Sequence, residues 1–170
     1  MASHPDIHTT SEIDPARQLL RHIVATIAYR GAKAVRNAPP SFSTFQAGAD
    51  ARMPAEILAH IGDLLEWSVG ICDGRQEWQA SPPQPWDDEI VRFFDVLGRL
   101  DRRLAEPRPL GIAIDVLTQG PIADTLTHVG QLSLLRRLAG DPVRGENFVA
   151  AQVTTGRVGA SQPPPVFEFD

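Results

Sequence analysis

The sequence predicts an all-α protein, a four-helix bundle followed by an extended C-terminal tail. Apolar residues recur at helical spacing in four separate segments, clusters of proline separate those segments, and strand-like alternation is scarce. Four long apolar-striped helices in 170 residues suit a bundle better than an α/β plan. We expect residues 1–140 to form the bundle, with a flexible leader over 1–13, and residues 141–170 to form an irregular tail on the same domain.

Each predicted helix has local start or stop signals. Asp14 is a candidate N-cap followed by proline, the second helix ends at Asp73-Gly74, and Gly140 with Pro142 stops the last one. Beyond Asp141 the helical periodicity is lost. The predicted helices span residues 15–36, 54–72, 86–104 and 121–139, and a short helix within 110–117 precedes the last.

Composition excludes several classes of function. The chain has 16 Lys and Arg against 21 Asp and Glu, a formal charge of −5, which disfavours nucleic acid as a partner. Cys72 is the only cysteine, so neither a disulfide framework nor a Cys-rich zinc site is available, and a reducing, cytoplasmic location is expected. No signal peptide and no apolar stretch long enough to span a membrane is visible, so no membrane association is predicted.

Ionisable residues on apolar helix faces are the candidates for chemistry. On the fourth helix Asp124 and His128 lie about 40° apart, and Arg136 and Arg137 project from the opposite side, so the Asp124/His128 side is predicted to face inward. On the second helix His60 lies about 80° from the middle of the apolar stripe and reaches the interior edge, whereas Asp63 is predicted to be solvated.

His60, Asp124 and His128 could supply two imidazoles and a carboxylate to a divalent metal, with a position left open for water or substrate. The alternative is a hydrogen-bonded His–Asp pair in the core with His60 at its edge. The other histidines (His4, His8 and His22) are expected to be solvated, and Cys72 is expected to be a buried thiol. Phosphate loops, nucleophile elbows and His-Glu-x-x-His helices are missing from the sequence.

Two segments, AHIGDLLEW at 59–67 and GPIADTLTHVGQL at 120–132, the latter followed by LRRLAG at 135–140, resemble the DinB/YfiT-like family of metalloenzymes. The resemblance covers the chain from the first helix through the fourth. It implies a bundle, often dimeric, whose divalent metal is held by one His of the second helix and a His-x-x-x-His pair of the last. His60 and His128 match two ligands, and Asp124 stands in place of the third. Carboxylate is an acceptable ligand for zinc, nickel or manganese.

The resemblance implies a metal-dependent thiol transferase or hydrolase acting on a small molecule, with water or a thiol activated by the metal. The alternative is a non-catalytic bundle that binds a small ligand or a protein partner. Gln131 could steady a metal ligand by a hydrogen bond or simply pack against the next helix. Asn147 and Arg157 could approach a pocket mouth or remain solvated.

A homodimer is the expected oligomeric state. This expectation comes from the resemblance and from the apolar side of the fourth helix formed by Ile122, Leu126 and Val129, which a compact monomer need not cover.

Overall fold

The computed structural model describes residues 14–169 and is mostly helical. The predicted leader, with His4 and His8, lies outside the described residues. The helices are α1 (Pro15–Val35), α2 (Pro54–Cys72), α3 (Trp86–Ala105), a short α4 (Ile114–Leu117) and α5 (Ala123–Leu138). A 3₁₀-helix (Pro40–Thr44) follows α1, a π-helical turn (Thr118–Ile122) joins α4 to α5, and two short strands follow, β1 (Gly145–Glu146) and β2 (Glu168–Phe169).

The helix boundaries follow from the predicted caps. The Asp14 carboxylate accepts a hydrogen bond from the Ala16 amide at 3.0 Å, so one of the free amides at the start of α1 is satisfied. After α5 the chain reverses at Gly140, whose φ of 80° a side-chain-bearing residue rarely adopts.

The predicted all-α fold class is correct, and the bounds of α1, α2 and α3 lie within one residue of their predicted positions.

The four long helices share one core. Helix α2 packs against both α3 and α5, and α1 closes the other side by packing against the same two helices. Because α2 has neighbours on two sides, it is buried around most of its circumference. The largest fully buried side chains come from α1, α2, α3, the short α4 and the connections between helices, and include Leu20, Ile27, Phe42, Leu58, Ile61, Leu65, Phe93, Leu97, Leu100, Leu117 and Ile122.

The inward side of α5 differs from the prediction. Gly120, with φ −87° and ψ −110°, interrupts the helix just before α5 begins. The buried residues of α5 are Thr125, Val129, Leu132, Leu135 and Arg136, and Asp124 is exposed. The centre of this buried side lies about 100° from Asp124, so the Asp124/His128 side forms the edge of the core rather than its centre.

Arg136 was expected to project into solvent, and this prediction is wrong. Its side chain is 5% exposed, and its guanidinium donates to the carbonyl oxygens of Ala34 and Arg36, each at 3.1 Å, and to that of Asp141. The Asp141 carboxylate also pairs with it. A buried arginine is tolerated here because the carbonyls at the end of α1 supply acceptors that α1 itself leaves unpaired.

The side of α5 that was expected to form a dimer surface is also inside the chain. Ile122 is 0% exposed and Val129 is 3% exposed, and Leu126 is partly buried against the same core. The apolar residues of α5 that do face solvent are Leu134 and Leu138. The predicted dimer surface is therefore used for intramolecular packing.

The segment after α5 contacts the bundle through a buried carboxylate. Strands β1 and β2 pair antiparallel, with Gly145 opposite Phe169. The side chain of Glu146 in β1 is fully buried and accepts hydrogen bonds from the Tyr29 hydroxyl at 2.6 Å and the Lys33 ammonium at 2.7 Å. Further along, Val158 joins the hydrophobic core. The tail is thus fixed to α1 by charge-assisted hydrogen bonds and by packing.

Cys72 is a fully buried core thiol, as predicted. Burial raises its pKa to about 11, because the thiolate would lose its hydration. A thiol with this pKa is a poor nucleophile at neutral pH.

Among residues 14–169, every helix is too short or too polar to cross a bilayer.

Candidate metal centre

Two neighbouring helices bring His60, Asp124 and His128 together. His60 lies in α2, and Asp124 and His128 lie one turn apart in α5. His128 Nε2 is 3.4 Å from Asp124 Oδ1, and His60 Nε2 is 3.9 Å from Asp124 Oδ2. The two imidazole rings meet edge to face with their centroids 4.7 Å apart. Of the residues described, these three form a group whose ligand atoms all lie within 4.8 Å of one another.

The three side chains differ in exposure. Those of His128 and His60 are 12% and 24% exposed, whereas that of Asp124 is 48% exposed. The two histidines line an open cleft of ≈ 550 Å³ between α2 and α5. Ile57, Leu134 and Leu135 give the cleft an apolar wall, and Arg52 stands at its rim. A molecule in the cleft would therefore meet the imidazoles directly.

Partial burial is the main reason that His60 is neutral at physiological pH. It lowers the pKa of His60 below its ordinary value, neighbouring His128 and Arg52 act in the same direction, and the carboxylates of Asp124 and Asp63 act against them. A neutral imidazole has the free lone pair that a metal ligand or a proton acceptor needs.

Gln131 fixes the orientation of His128. Its side-chain oxygen Oε1 lies 2.7 Å from His128 Nδ1, one turn further along α5. Because an amide oxygen can only accept, this contact places a proton on Nδ1, and Nε2 is the ring nitrogen that faces Asp124 and His60. The structure shows the hydrogen bond between Gln131 and His128, and the role of Gln131 in steadying a metal ligand stays a prediction.

An aromatic wall closes the other side of His60. Trp78 packs edge to face on the His60 ring with centroids 5.8 Å apart, and Trp67 packs on Trp78 at 5.6 Å. Trp78 belongs to the loop between α2 and α3. The Ser81 amide in that loop donates to the carboxylate of Asp63 at 3.0 Å. This hydrogen bond ties the loop to α2, and the same loop places Trp78 against the ring of His60.

The prediction that Asp63 is solvated is wrong. Its side chain is 4% exposed and pairs with the guanidinium of Arg92 from α3. Arg92 passes over Gly62, where a Cβ atom would lie 2.9 Å from the guanidinium carbon, so the missing side chain lets Arg92 approach α2. A charged residue off the apolar stripe is solvated only if no neighbouring helix covers that side, and here α3 covers it.

Asn147 and Arg157 lie away from this cluster. Asn147 is exposed in the turn after β1, where its side-chain oxygen accepts from the Val149 amide at 3.1 Å. Arg157 is exposed in the tail segment whose Thr155 hydroxyl lies 3.4 Å from the ring of His22 on α1. Neither side chain joins the group formed by the three candidate ligands.

Arg52 is the charged cleft residue that the sequence did not indicate, because nothing in the sequence distinguishes it from an ordinary surface arginine.

The donor set fits a divalent cation. Ligand atoms about 2.0–2.2 Å from a tetrahedral zinc ion lie about 3.3–3.6 Å from one another. The 3.4 Å between His128 Nε2 and Asp124 Oδ1 meets this requirement. The 3.9 Å from His60 Nε2 runs to the other carboxylate oxygen, Oδ2, and the three ligand atoms lie within 4.8 Å of one another, so the side chains would have to draw together around an ion. Two imidazoles and one carboxylate would leave a position open toward solvent, as in catalytic rather than structural sites.

Comparison of the chain with protein-family models, with curated protein sequences and with solved structures found no match in any of the three.

Proposed function

We propose that the protein is a divalent-metal-dependent enzyme of the DinB-like kind, of thiol-transferase or hydrolase type, with His60, Asp124 and His128 as its metal ligands. The observation that carries this proposal is the approach of three donor atoms from two helices to within 4.8 Å beside an open cleft. The resemblance of residues 59–67 and 120–132 to the DinB/YfiT-like pattern supports the same ligands. Zinc, nickel and manganese are the candidate ions.

A divalent ion held there would lower the pKa of a water molecule or a thiol in its open position. The chain's own residues supply the rest. Gln131 holds His128 in the tautomer that presents Nε2, and the Asp124 carboxylate offsets part of the positive charge. The apolar cleft wall excludes water from one side of a substrate, and Arg52 attracts a substrate that carries negative charge.

Elemental analysis of chelator-treated protein reloaded with zinc, nickel or manganese tests the proposal. We expect about one ion per chain in the native protein and almost none in His60→Ala and His128→Ala, because two remaining donors hold a divalent ion weakly. His22→Ala is the matched control, since His22 is an exposed histidine of α1 and should leave the metal content unchanged.

The reloaded protein is then screened for thiol transfer and for hydrolysis. Activity that needs the ion and disappears in both ligand variants supports an enzyme. If none of the three ions binds while both variants keep the native circular dichroism spectrum, the metalloenzyme proposal fails. A stoichiometric ion without activity in either screen would instead favour the alternative of a ligand-binding bundle.

Gln131 gives a finer prediction about this site. Gln131→Ala should weaken metal affinity by about 10–100-fold, the usual cost of removing a hydrogen bond that orients a histidine ligand. Gln131→Glu should retain the affinity, because a carboxylate accepts from Nδ1 as well as an amide oxygen does. Competition titration with a coloured chelator measures both variants. Equal affinities of the native protein and Gln131→Ala would mean that the 2.7 Å contact does not orient a ligand.

A homodimer and a cytoplasmic location also remain proposals. The homodimer now depends on the resemblance alone, since its predicted surface is buried within the chain. Sedimentation at micromolar concentration tests it, and a single-chain mass would reject it. The cytoplasmic location is supported by the lone, reduced Cys72.

A further inference from the structure

A second pocket, of ≈ 310 Å³, lies between α1, α5 and strand β1. Its α5 wall includes Gly130 and Ser133, and its α1 wall includes Arg30 and Lys33. Gly130 lies about 200° around α5 from His128, so this pocket opens on the opposite side of α5 from the candidate metal centre. The two pockets share Leu134 and are otherwise lined by different residues.

Positive charge is concentrated around this second pocket. Four cationic side chains line it, although the whole chain carries a formal charge of −5. One of them, Lys33, is already paired with two carboxylates, Glu146 and Glu168, each at 2.7 Å. The four cations are Arg30, Lys33, Arg137 and Arg144. A ligand that enters this pocket meets an excess of positive charge.

Arg30 and Arg137 carry this charge without an acidic partner. Within residues 14–169 neither of them forms an ion pair with a carboxylate. Arg30 lies with its guanidinium carbon 4.0 Å from the centroid of the Phe148 ring, and its Nε is buried with no hydrogen-bond acceptor in the described part of the chain. A buried donor without an acceptor costs stability, so a bound acceptor at this point would recover free energy.

Apart from Ser133 and Glu146, whose carboxylate is paired with Lys33, the side chains in the remainder of the pocket are apolar. Leu126 and Val129 of α5 form one side, and Val143 and Phe148, which flank β1, form the other. An inorganic ion would leave these surfaces in contact with water. A ligand with an anionic group and an apolar body would instead satisfy the arginines and cover the apolar walls.

We propose that this pocket binds a small organic anion, a carboxylate or phosphate group on an apolar body, held by Arg30 and Arg137. The planar guanidinium of Arg30, stacked on Phe148, presents its donors in the geometry that suits either group. Arg137, which is exposed at the rim, contributes the second positive charge. The apolar body lies against Leu126 and Val129.

Isothermal titration of the full chain with phenylacetate and phenyl phosphate tests this, with neutral phenylacetamide as the uncharged counterpart. At least one anion should bind at least about tenfold more tightly than phenylacetamide, because hydrogen bonds to charged groups are the stronger ones. Arg30→Met and Arg137→Met should each lower that affinity by about 10–100-fold. Arg102→Met, at an exposed position of α3, is the matched control and should bind as the native chain does. His60→Ala should also bind normally, because it lies in the other pocket.

Three results would overturn the proposal. They are failure of both anions to bind at millimolar concentration, binding of phenylacetamide as tightly as the anions, and unchanged affinity in Arg137→Met. Arg137 is exposed, so its variant is expected to fold even if Arg30→Met does not, and circular dichroism checks this. If the phosphate but not the carboxylate binds, the ligand class narrows to phosphate esters.

Discussion

Replacing Asp124 by alanine is expected to weaken metal binding by about a hundredfold or more, beyond the 10–100-fold that is usual when only an orienting residue is lost. Asp124 supplies the one negative charge of the donor set and lies near both imidazoles, at 3.4 Å from His128 and 3.9 Å from His60. Its side chain is 48% exposed, so the fold should not change. Competition titration measures the affinity, and thermal unfolding of the metal-free protein checks stability.

Asp124→His is the informative companion variant. It restores the His-x-x-x-His pair of the DinB/YfiT-like pattern and keeps three donors, so binding should be retained in this variant, whereas Asp124→Ala weakens it. Exchange of carboxylate for imidazole should shift preference from manganese toward nickel and zinc. If Asp124→Ala binds metal as tightly as the native protein does, Asp124 is not a ligand. The 3.4 Å contact with His128 is then only a surface ion pair.

The second large effect concerns stability. Asp63→Ala is expected to lower the free energy of unfolding by about 1.5–3 kcal/mol, since it removes the closer carboxylate partner of the Arg92 guanidinium and leaves only Glu89, at 3.4 Å. The Asp63 and Arg92 side chains are 4% and 15% exposed. The substitution also removes the acceptor of the Ser81 amide, so the loop that carries Trp78 should loosen. Urea unfolding measures the first effect, and tryptophan fluorescence reports the second.

Asp95→Ala provides the matched control. Asp95 pairs with Arg99 on the exposed surface of α3, with side chains 62% and 36% exposed, and its loss should cost less than about 0.5 kcal/mol. Replacing Asp63 and Arg92 together by leucine and methionine should not recover the loss, because Glu89, whose side chain is 0% exposed, would then lose its arginine partner. If Asp63→Ala proves no more destabilising than Asp95→Ala, the buried pair contributes nothing to stability.

Local signals in the sequence are sufficient for the helices, and they also indicate the candidate ligands, whose role stays a prediction. The Asp14 cap and the glycine stop after α5 are read from neighbouring residues, and both occur as expected. His60 and His128 are candidates because each lies near an apolar stripe, and the helices that carry them are neighbours. Periodicity within a helix carries this information because it depends on spacing alone.

The errors share one physical cause. Asp63 and Arg136 were assigned to solvent because they lie off the apolar stripe of their own helix. Their partners, however, come from elsewhere: Arg92 lies 29 residues from Asp63, and Ala34 lies 102 residues from Arg136. The inward side of α5 was misplaced for a related reason, since which side is buried depends on how α1 and α2 pack against it. The periodicity of one helix does not contain the positions of its neighbours.

Arg136 also affects how the bundle loses its structure. Its guanidinium caps the end of α1 by donating to the carbonyls of Ala34 and Arg36. The same guanidinium holds the turn after α5 by donating to the carbonyl of Asp141. Unwinding the last turn of α5 would therefore remove the donor on which the last carbonyls of α1 depend. The two termini cannot fray separately, and the ends of α1 and α5 form a single cooperative unit of local unfolding.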